Sequence, residues 1–145
     1  MSDNVGAMTH PIAIQGFDHI VLRIRDKEAM IAFYVEVLGC SVDWDRPELG
    51  LTHIRAGGEL IDLVTLDGPL GRLGGEGPAQ EGRNLDHFCL RVAPFDEPAI
   101  RAHLAKHGVE VTDAGARYGA QGEGFSLYLR DPEGNTVELK GSPGG

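Results

Sequence analysis

One segment occurs twice in this chain. Residues 17–24 read FDHIVLRI and residues 85–92 read LDHFCLRV; Asp18/Asp86, His19/His87, Leu22/Leu90 and Arg23/Arg91 are identical, and the other positions are apolar in both copies. A repeat constrains the fold more than composition does, because each copy must bury the same face in the same way. Each copy is followed by a helical pattern that ends at glycine. The first is DKEAMIAFYVEVLG, with Met30, Phe33, Tyr34, Val37 and Leu38 at helical spacing and Gly39 as the stop; the second is FDEPAIRAHLAKHG, with Pro98 in the first turn and Gly108 at the end. Short alternating strands, CSVDW and VEVTD, come next. Farther on, LTHIRAGGELIDL (51–63) aligns without gaps on LYLRDPEGNTVEL (127–139), which sets Gly58 on Gly134, Asp62 on Glu138 and Leu63 on Leu139. RAGGE and DPEGN read as hairpin turns before each last strand.

Each half therefore reads strand, helix, then three strands. The first βαβββ module spans 16–66 and the second 84–141, with a flexible terminus at 1–15 and a tail at 142–145. Residues 67–83, DGPLGRLGGEGPAQEGRN with its flanks, form a Gly- and Pro-rich linker or mobile loop. One helix per half beside strand-to-strand hairpins argues for an α+β fold with helices on one face of the sheet, and against a doubly wound parallel sheet.

Side chains on a strand alternate faces, so His19, Val21 and Arg23 point one way while Ile20, Leu22 and Ile24 point the other. The second copy sets His87, Cys89 and Arg91 against Phe88, Leu90 and Val92. The uniformly apolar set must pack on the helix, which leaves each histidine on the opposite face. By the same alternation Glu138 leaves the helix side with Thr136 and Lys140, and Asp62 alternates against Ile61 and Leu63. The duplication thus supplies His with Asp and His with Glu. If a pseudo-twofold relates the modules, their concave faces curl toward a common cleft. Imidazole and carboxylate together suit a borderline divalent ion, with open positions left for substrate. The expected metal ligands are His19, His87, Glu138 and Asp62. Burying unpaired charge is costly, which favours a cation among them. Such an ion, one of Zn, Ni, Mn or Fe, binds two neighbouring oxygens of a small molecule and stabilises an enediolate or catecholate. Glu138 is the first candidate for general base and Asp62 the second.

Composition narrows the partners. A net charge of −9 on 145 residues leaves no basic patch for a nucleic acid. No apolar run approaches the roughly 20 residues needed to cross a bilayer, and the N-terminus lacks a signal pattern, so no membrane partner is expected and a cytoplasmic setting is the default. Cys40 and Cys89 each sit in an apolar segment and read as small buried hydrophobes in a reducing compartment.

FDHIVLRI, AFYVEVLGC, LDHFCLRV and YLRDPEGNTVELKG together resemble the vicinal oxygen chelate superfamily, which includes glyoxalase I, extradiol dioxygenases and fosfomycin- and bleomycin-resistance proteins. The resemblance covers residues 17–140. It implies paired βαβββ modules around a divalent metal, the ligands His19, His87 and Glu138, and a homodimer that completes the cleft. A glyoxalase-like lyase or isomerase is the first activity it implies. Asp62 then stands where such enzymes have a glutamate, and Arg23 matches an arginine that helps hold glutathione. An extradiol, catechol-cleaving Fe(II) dioxygenase is the alternative, in which Asp62 is not a ligand. A non-catalytic protein that sequesters a drug or ligand is a third class, against which both histidines and the glutamate count. Tyr128, in the most specific of these motifs, either packs beside the hairpin or touches substrate.

Other signals carry less. His103 and His107 have the spacing of a helical zinc pair but lack the glutamate of a metalloprotease motif, so they read as solvated positions. His10 lies in the terminus, and His53 has no histidine at its repeat position. GARYGAQGEGF (115–125) fits no phosphate-binding pattern and is expected to be a loop at the cleft mouth, with Arg117, Tyr118 or Glu123 near substrate.

Overall fold

The structure, a computed structural model, describes residues 10–79 and 81–144, so part of the segment read as a flexible terminus lies outside the described residues. The first half runs β1 (His19–Ile24), α1 (Lys27–Ala32), β2 (Ser41–Arg46), β3 (Leu51–Ala56) and β4 (Glu59–Thr65). The second runs β5 (Phe88–Arg91), α2 (Glu97–Lys106), β6 (Asp113–Gly119), β7 (Gly122–Arg130) and β8 (Thr136–Lys140). Each half closes as a separate four-stranded mixed sheet, ordered β1-β4-β3-β2 and β5-β8-β7-β6, with its first strand parallel to its last. This is an α+β fold of paired βαβββ modules.

The duplicated sequence builds duplicated local structure. Asp26 and Asp96 each cap the helix that follows, accepting from the backbone N–H of Ala29 at 3.0 Å and of Ala99 at 3.1 Å. In the first half a π-helical turn, Phe33–Val37, continues α1 and carries Phe33 and Tyr34 into the interior before Gly39 ends it at a φ of 77°. Leu22 and Ile24 of β1 are buried with Met30, Ile54, Ile61 and Leu63, and one apolar cluster joins them to Leu104, Leu129, Val137 and Leu139 of the second half.

The helix sides of both sheets share this one core, and by strand alternation His19 and His87 stand on the opposite faces. Polar contacts lock the same junction. Tyr34 donates to the buried Asp131 carboxylate at 2.8 Å, and burial beside that carboxylate pushes the phenol far above its ordinary range, so it stays a donor. Asp131 also accepts from the N–H groups of Glu133 and Asn135 and from the Asn135 amide at 2.8–2.9 Å. The Glu133 carboxylate in turn accepts from the N–H groups of Arg25 and Asp26, at the start of α1, at 2.6–2.9 Å.

Two expectations are corrected. VEVTD is not the strand that follows α2: Val109 and Val111 pack against the core, and β6 begins at Asp113. The glycine-rich run 115–125 is not a cleft-mouth loop but most of the β6–β7 hairpin. Its glycines serve close approach: a Cβ on Gly124 would stand 2.2 Å from the carbonyl oxygen of Gly141. Both cysteines are free; Cys40 is half-buried as a core neighbour, whereas Cys89 is exposed on edge strand β5, against the expectation of a buried hydrophobe.

Tyr34→Phe is expected to cost about 1–2 kcal/mol in urea unfolding, because Asp131 keeps three other donors. Asp131→Ala is expected to cost more than Tyr34→Phe, since it strands the buried phenol and every donor of the turn at once.

Candidate metal centre

Register fixes what stands beside what. On the first sheet Val21 pairs with Asp62, Asp62 with His53, and His53 with Trp44, so these side chains and His19 share one face. On the second, Cys89 pairs with Glu138, Glu138 with Tyr128, and Tyr128 with Asp113, alongside His87. Both carboxylates, Asp62 and Glu138, are buried at the centres of their sheets, while both histidines sit on edge strands and remain partly exposed.

The two histidines are held alike. Nδ1 of His19 meets the Asp18 carboxylate at 2.7 Å, and Nδ1 of His87 meets Asp86 at 2.7 Å. A carboxylate at Nδ1 fixes the tautomer and leaves the Nε2 lone pair for another partner, the usual outer arrangement of a metal-ligating histidine. Each Nε2 faces its sheet's carboxylate: His19 lies 4.0 Å from Oδ2 of Asp62, and His87 lies 3.1 Å from Oε1 of Glu138. The hydrogen bond that the His19 imidazole donates to the Asp18 carboxylate holds it above its ordinary value, burial opposing and the Asp62 charge assisting.

The remaining oxygens of the carboxylates are fixed by different neighbours. His53 Nδ1 meets Oδ1 of Asp62 at 2.8 Å, and Ser126 Oγ donates to Oε2 of Glu138 at 2.6 Å in a buried contact. The His87 ring stands edge-on to Tyr128 at 5.7 Å between centroids. Desolvation, then the Glu138 carboxylate, raises the Tyr128 phenol. Partial desolvation of its sulfur, again with Glu138, pushes the Cys89 thiol up to about 11, which keeps it protonated at neutral pH.

Among the named candidates, the structure thus brings together His19 with Asp62 and His87 with Glu138, beside Tyr128. It does not bring the four ligands together: among the described residues no group of three His, Cys, Asp or Glu side chains could hold a metal. Arg23, read as a substrate anchor, spends its guanidinium elsewhere. It donates to the carbonyls of Gly71 at 3.1 Å, Glu76 at 3.0 Å and Gly75, and so pins the connecting segment to β1. Arg25 adds a bond to Pro78, and Arg83 ties the segment's end to Glu133 and Asn135. His103 donates from Nε2 to the Val37 carbonyl at 2.8 Å, which removes it from any pair with His107.

Sequence reasoning missed His53, Ser126 and the two aspartates. Asp18 and Asp86 were visible as invariant neighbours of the repeated histidines. His53 was hidden by the gap-free alignment. The β3–β4 hairpin turns between Ala56 and Glu59, whereas β7–β8 turns between Arg130 and Thr136, so the longer second loop makes Tyr128, not Leu129, the counterpart of His53.

Twin sheets that each carry a histidine beside a buried carboxylate define a class of duplicated α+β proteins. Residues 16–139 match the Glyoxalase/Bleomycin resistance protein/Dioxygenase superfamily, and the chain belongs to it. It is similar to virulence protein STM3117 of Salmonella typhimurium, 29% identical over 130 residues that cover 87% of this chain and 83% of that one. The crystal structure of that protein superposes with a TM-score of 0.72 at 26% identity, over 90% of this chain and 99% of the other. Biphenyl-2,3-diol 1,2-dioxygenase 3 of Rhodococcus globerulus is 30% identical over 125 residues, 84% of this chain and 60% of the enzyme. The lactoylglutathione lyase of Agrobacterium tumefaciens shares the fold, with a TM-score of 0.63 at 21% identity over 88% of this chain and 94% of that one.

Asp18→Asn is expected to bring the His19 pKa down toward 6.5, because the leading cause of its elevation is removed. An NMR titration of the imidazole in both proteins checks this.

Proposed function

We propose that the chain is a metal-dependent enzyme of the glyoxalase type, a lyase or isomerase for a small molecule with two neighbouring oxygens, whose site is completed between two copies. The observation that carries this reading is the doubled Asp–His–carboxylate set on two strands with unpaired edges. Strands β1 and β5 each end their sheet, and an unpaired edge is a template for another chain. Between them runs a groove of about 1750 Å³ whose lining includes Phe17, Ile20, Leu85 and Phe88. Phe17 and Leu85, each two residues before a repeated histidine, are exposed. Apolar side chains left on an open edge favour burial against a partner. A second copy related by a twofold would set β1 beside β5 of the partner subunit twice over, as an isologous interface demands. His19 would then offer Nε2 next to His87 and Glu138 of the partner subunit.

The donor set fits a divalent ion: two imidazoles presenting Nε2, with carboxylate oxygens buried and pre-oriented. A bound ion would supply Lewis-acid polarisation of the two substrate oxygens. The chain's own residues supply the rest. Asp18 and Asp86 hold the imidazoles in the ligating tautomer. Glu138, steadied at Oε2 by Ser126, is the first proton acceptor for a substrate carbon through Oε1. Asp62 is the second, with Oδ1 occupied by His53 and Oδ2 on the cup side. Its buried carboxylate gives the site a fourth ligand, the second carboxylate, which favours the isomerase reading over a three-ligand Fe(II) site. The similarity to the Rhodococcus enzyme supports extradiol dioxygenase chemistry as the second reading.

Elemental analysis is expected to find a divalent metal in the purified protein and to lose it in both His87→Ala and Glu138→Ala. Mixing His19→Ala chains with His87→Ala chains tests the shared site. After random exchange half the dimers are mixed, each with one intact site, so about a quarter of the wild-type metal per chain should return. No recovery on mixing, with dimers formed, counts against sharing. Oxygen uptake with catechols against isomerisation of a hemithioacetal separates the two chemistries.

A further inference from the structure

The outer strand of the first sheet ends the cup face in a cation without an acid. The Trp44 indole stacks on the His53 imidazole, with 5.9 Å between centroids and 27° between planes. The Arg46 guanidinium sits over that indole, its Cζ 4.0 Å from the ring centroid. The acids of the same strand are already engaged. Asp43 accepts from Arg55 at 3.3 Å, and Asp45 accepts from Thr52 at 2.8 Å and from Lys27 at 3.0 Å. Among the described residues the Arg46 side chain enters no hydrogen bond or ion pair, and its Nε is shielded from solvent with no acceptor. A shielded donor without a partner is rare in folded proteins and marks a place where something completes the set.

The second sheet sharpens the contrast. There Arg117 lies over the Tyr128 ring at 5.4 Å, but Asp113 accepts from it at 3.1 Å. A cation thus lies over an aromatic ring in both sheets, and among the described residues only the first lacks an anion.

We propose that Arg46, seated on Trp44, is an oxyanion subsite, and that the substrate of the neighbouring centre carries a carboxylate or phosphate at the end remote from its chelating oxygens. A guanidinium resting on an indole keeps in-plane N–H groups for bidentate contact with such a group, which an ammonium cannot match. Register sets the spacing. Arg46 pairs with Leu51 and Leu51 with Val64, two residues beyond Asp62. Two strand spacings across and two residues along make roughly 12 Å between the α-carbons of Arg46 and Asp62. The acid therefore lies on the order of 10 Å from the chelated oxygens. This spacing and the assignment of the acid to the centre's substrate rest on the metal-centre reading; the oxyanion subsite itself does not.

Trp44 is the only tryptophan of the chain, so indole fluorescence reports this spot alone. Full-length protein freed of metal by a chelator is titrated with benzoate, phenyl phosphate and benzyl alcohol at constant ionic strength, with excitation at the red edge of indole absorption. A saturable response to benzoate or phenyl phosphate is expected, the tighter of the two telling carboxylate from phosphate, with no response to the alcohol. Affinity is expected to fall at least about tenfold in Arg46→Gln and to be unchanged in Arg101→Gln, which removes a cation from the exposed surface of α2. Should the Gln variant not fold, Arg46→Lys carries the comparison, because it keeps the charge and loses the fork; weakened binding supports the subsite. Wild-type affinity in a folded Arg46 variant, no saturable response to either anion, or an equal response to benzyl alcohol would overturn it. Since the titration uses metal-free protein, a wrong metal assignment leaves this result intact.

Discussion

A four-stranded sheet covered by a helix of six or ten residues cannot shield its apolar face alone. The two halves solve this together, because Leu22, Ile24, Ile54 and Ile61 of one sheet share a core with Leu129, Val137 and Leu139 of the other. Everything else about the site follows from that shared burial. The core claims the helix side of both sheets, so the histidine-bearing faces must lie on the far sides. It also leaves β1 and β5 at the ends of their sheets, with exposed Phe17 and Leu85 just ahead of them. Polar groups that could not enter the core unpaired are gathered at the same junction, where Tyr34, Asp131 and Glu133 satisfy one another and the start of α1.

Much of this was legible in the residues, for a simple reason. Period-two alternation in HIVLRI and FCLR states which side chains share a face, and the face carrying Leu22 and Ile24 had to be buried. The same logic puts Glu138 and Asp62 opposite Leu139 and Leu63, as the register bears out. What alternation cannot state is which pairs of faces meet. Nothing local to β1 or β5 tells which faces of two modules come together, or whether one chain or two complete the cleft. Glycine misled for a related reason. It marks both a turn and a place where backbones touch, and in 115–125 the second meaning held, since Gly124 lies against Gly141. Arg23 was read from its face alone; its partners are carbonyls of a segment roughly 50 residues away, and such long-range partners leave no trace in local pattern.

Hairpin length explains the most consequential omission. A gap-free alignment of the two halves matched the last strands correctly and slipped the preceding ones by one residue, which in a strand exchanges faces. His53 was thereby compared with core-facing Leu129 instead of cup-facing Tyr128, and lost its meaning. Pairing the strands outward from each turn recovers the correct comparison, because register is set by the turn and not by sequence distance.

The corrected comparison shows how far the halves have diverged. Around Asp62 stand a histidine and a stacked indole bearing an arginine with no acid among the described residues; around Glu138 stand a serine, a tyrosine and an arginine with its own acid. In a site assembled from the first half of one copy and the second half of another, these differences are not redundant. Every such site contains one shorter carboxylate fixed by imidazole and one longer carboxylate fixed by hydroxyl, so the two sides of a bound molecule meet different chemistry. A duplication that kept its histidines and changed their surroundings is therefore able to distinguish the two ends of a substrate, which identical halves related by a twofold could not do.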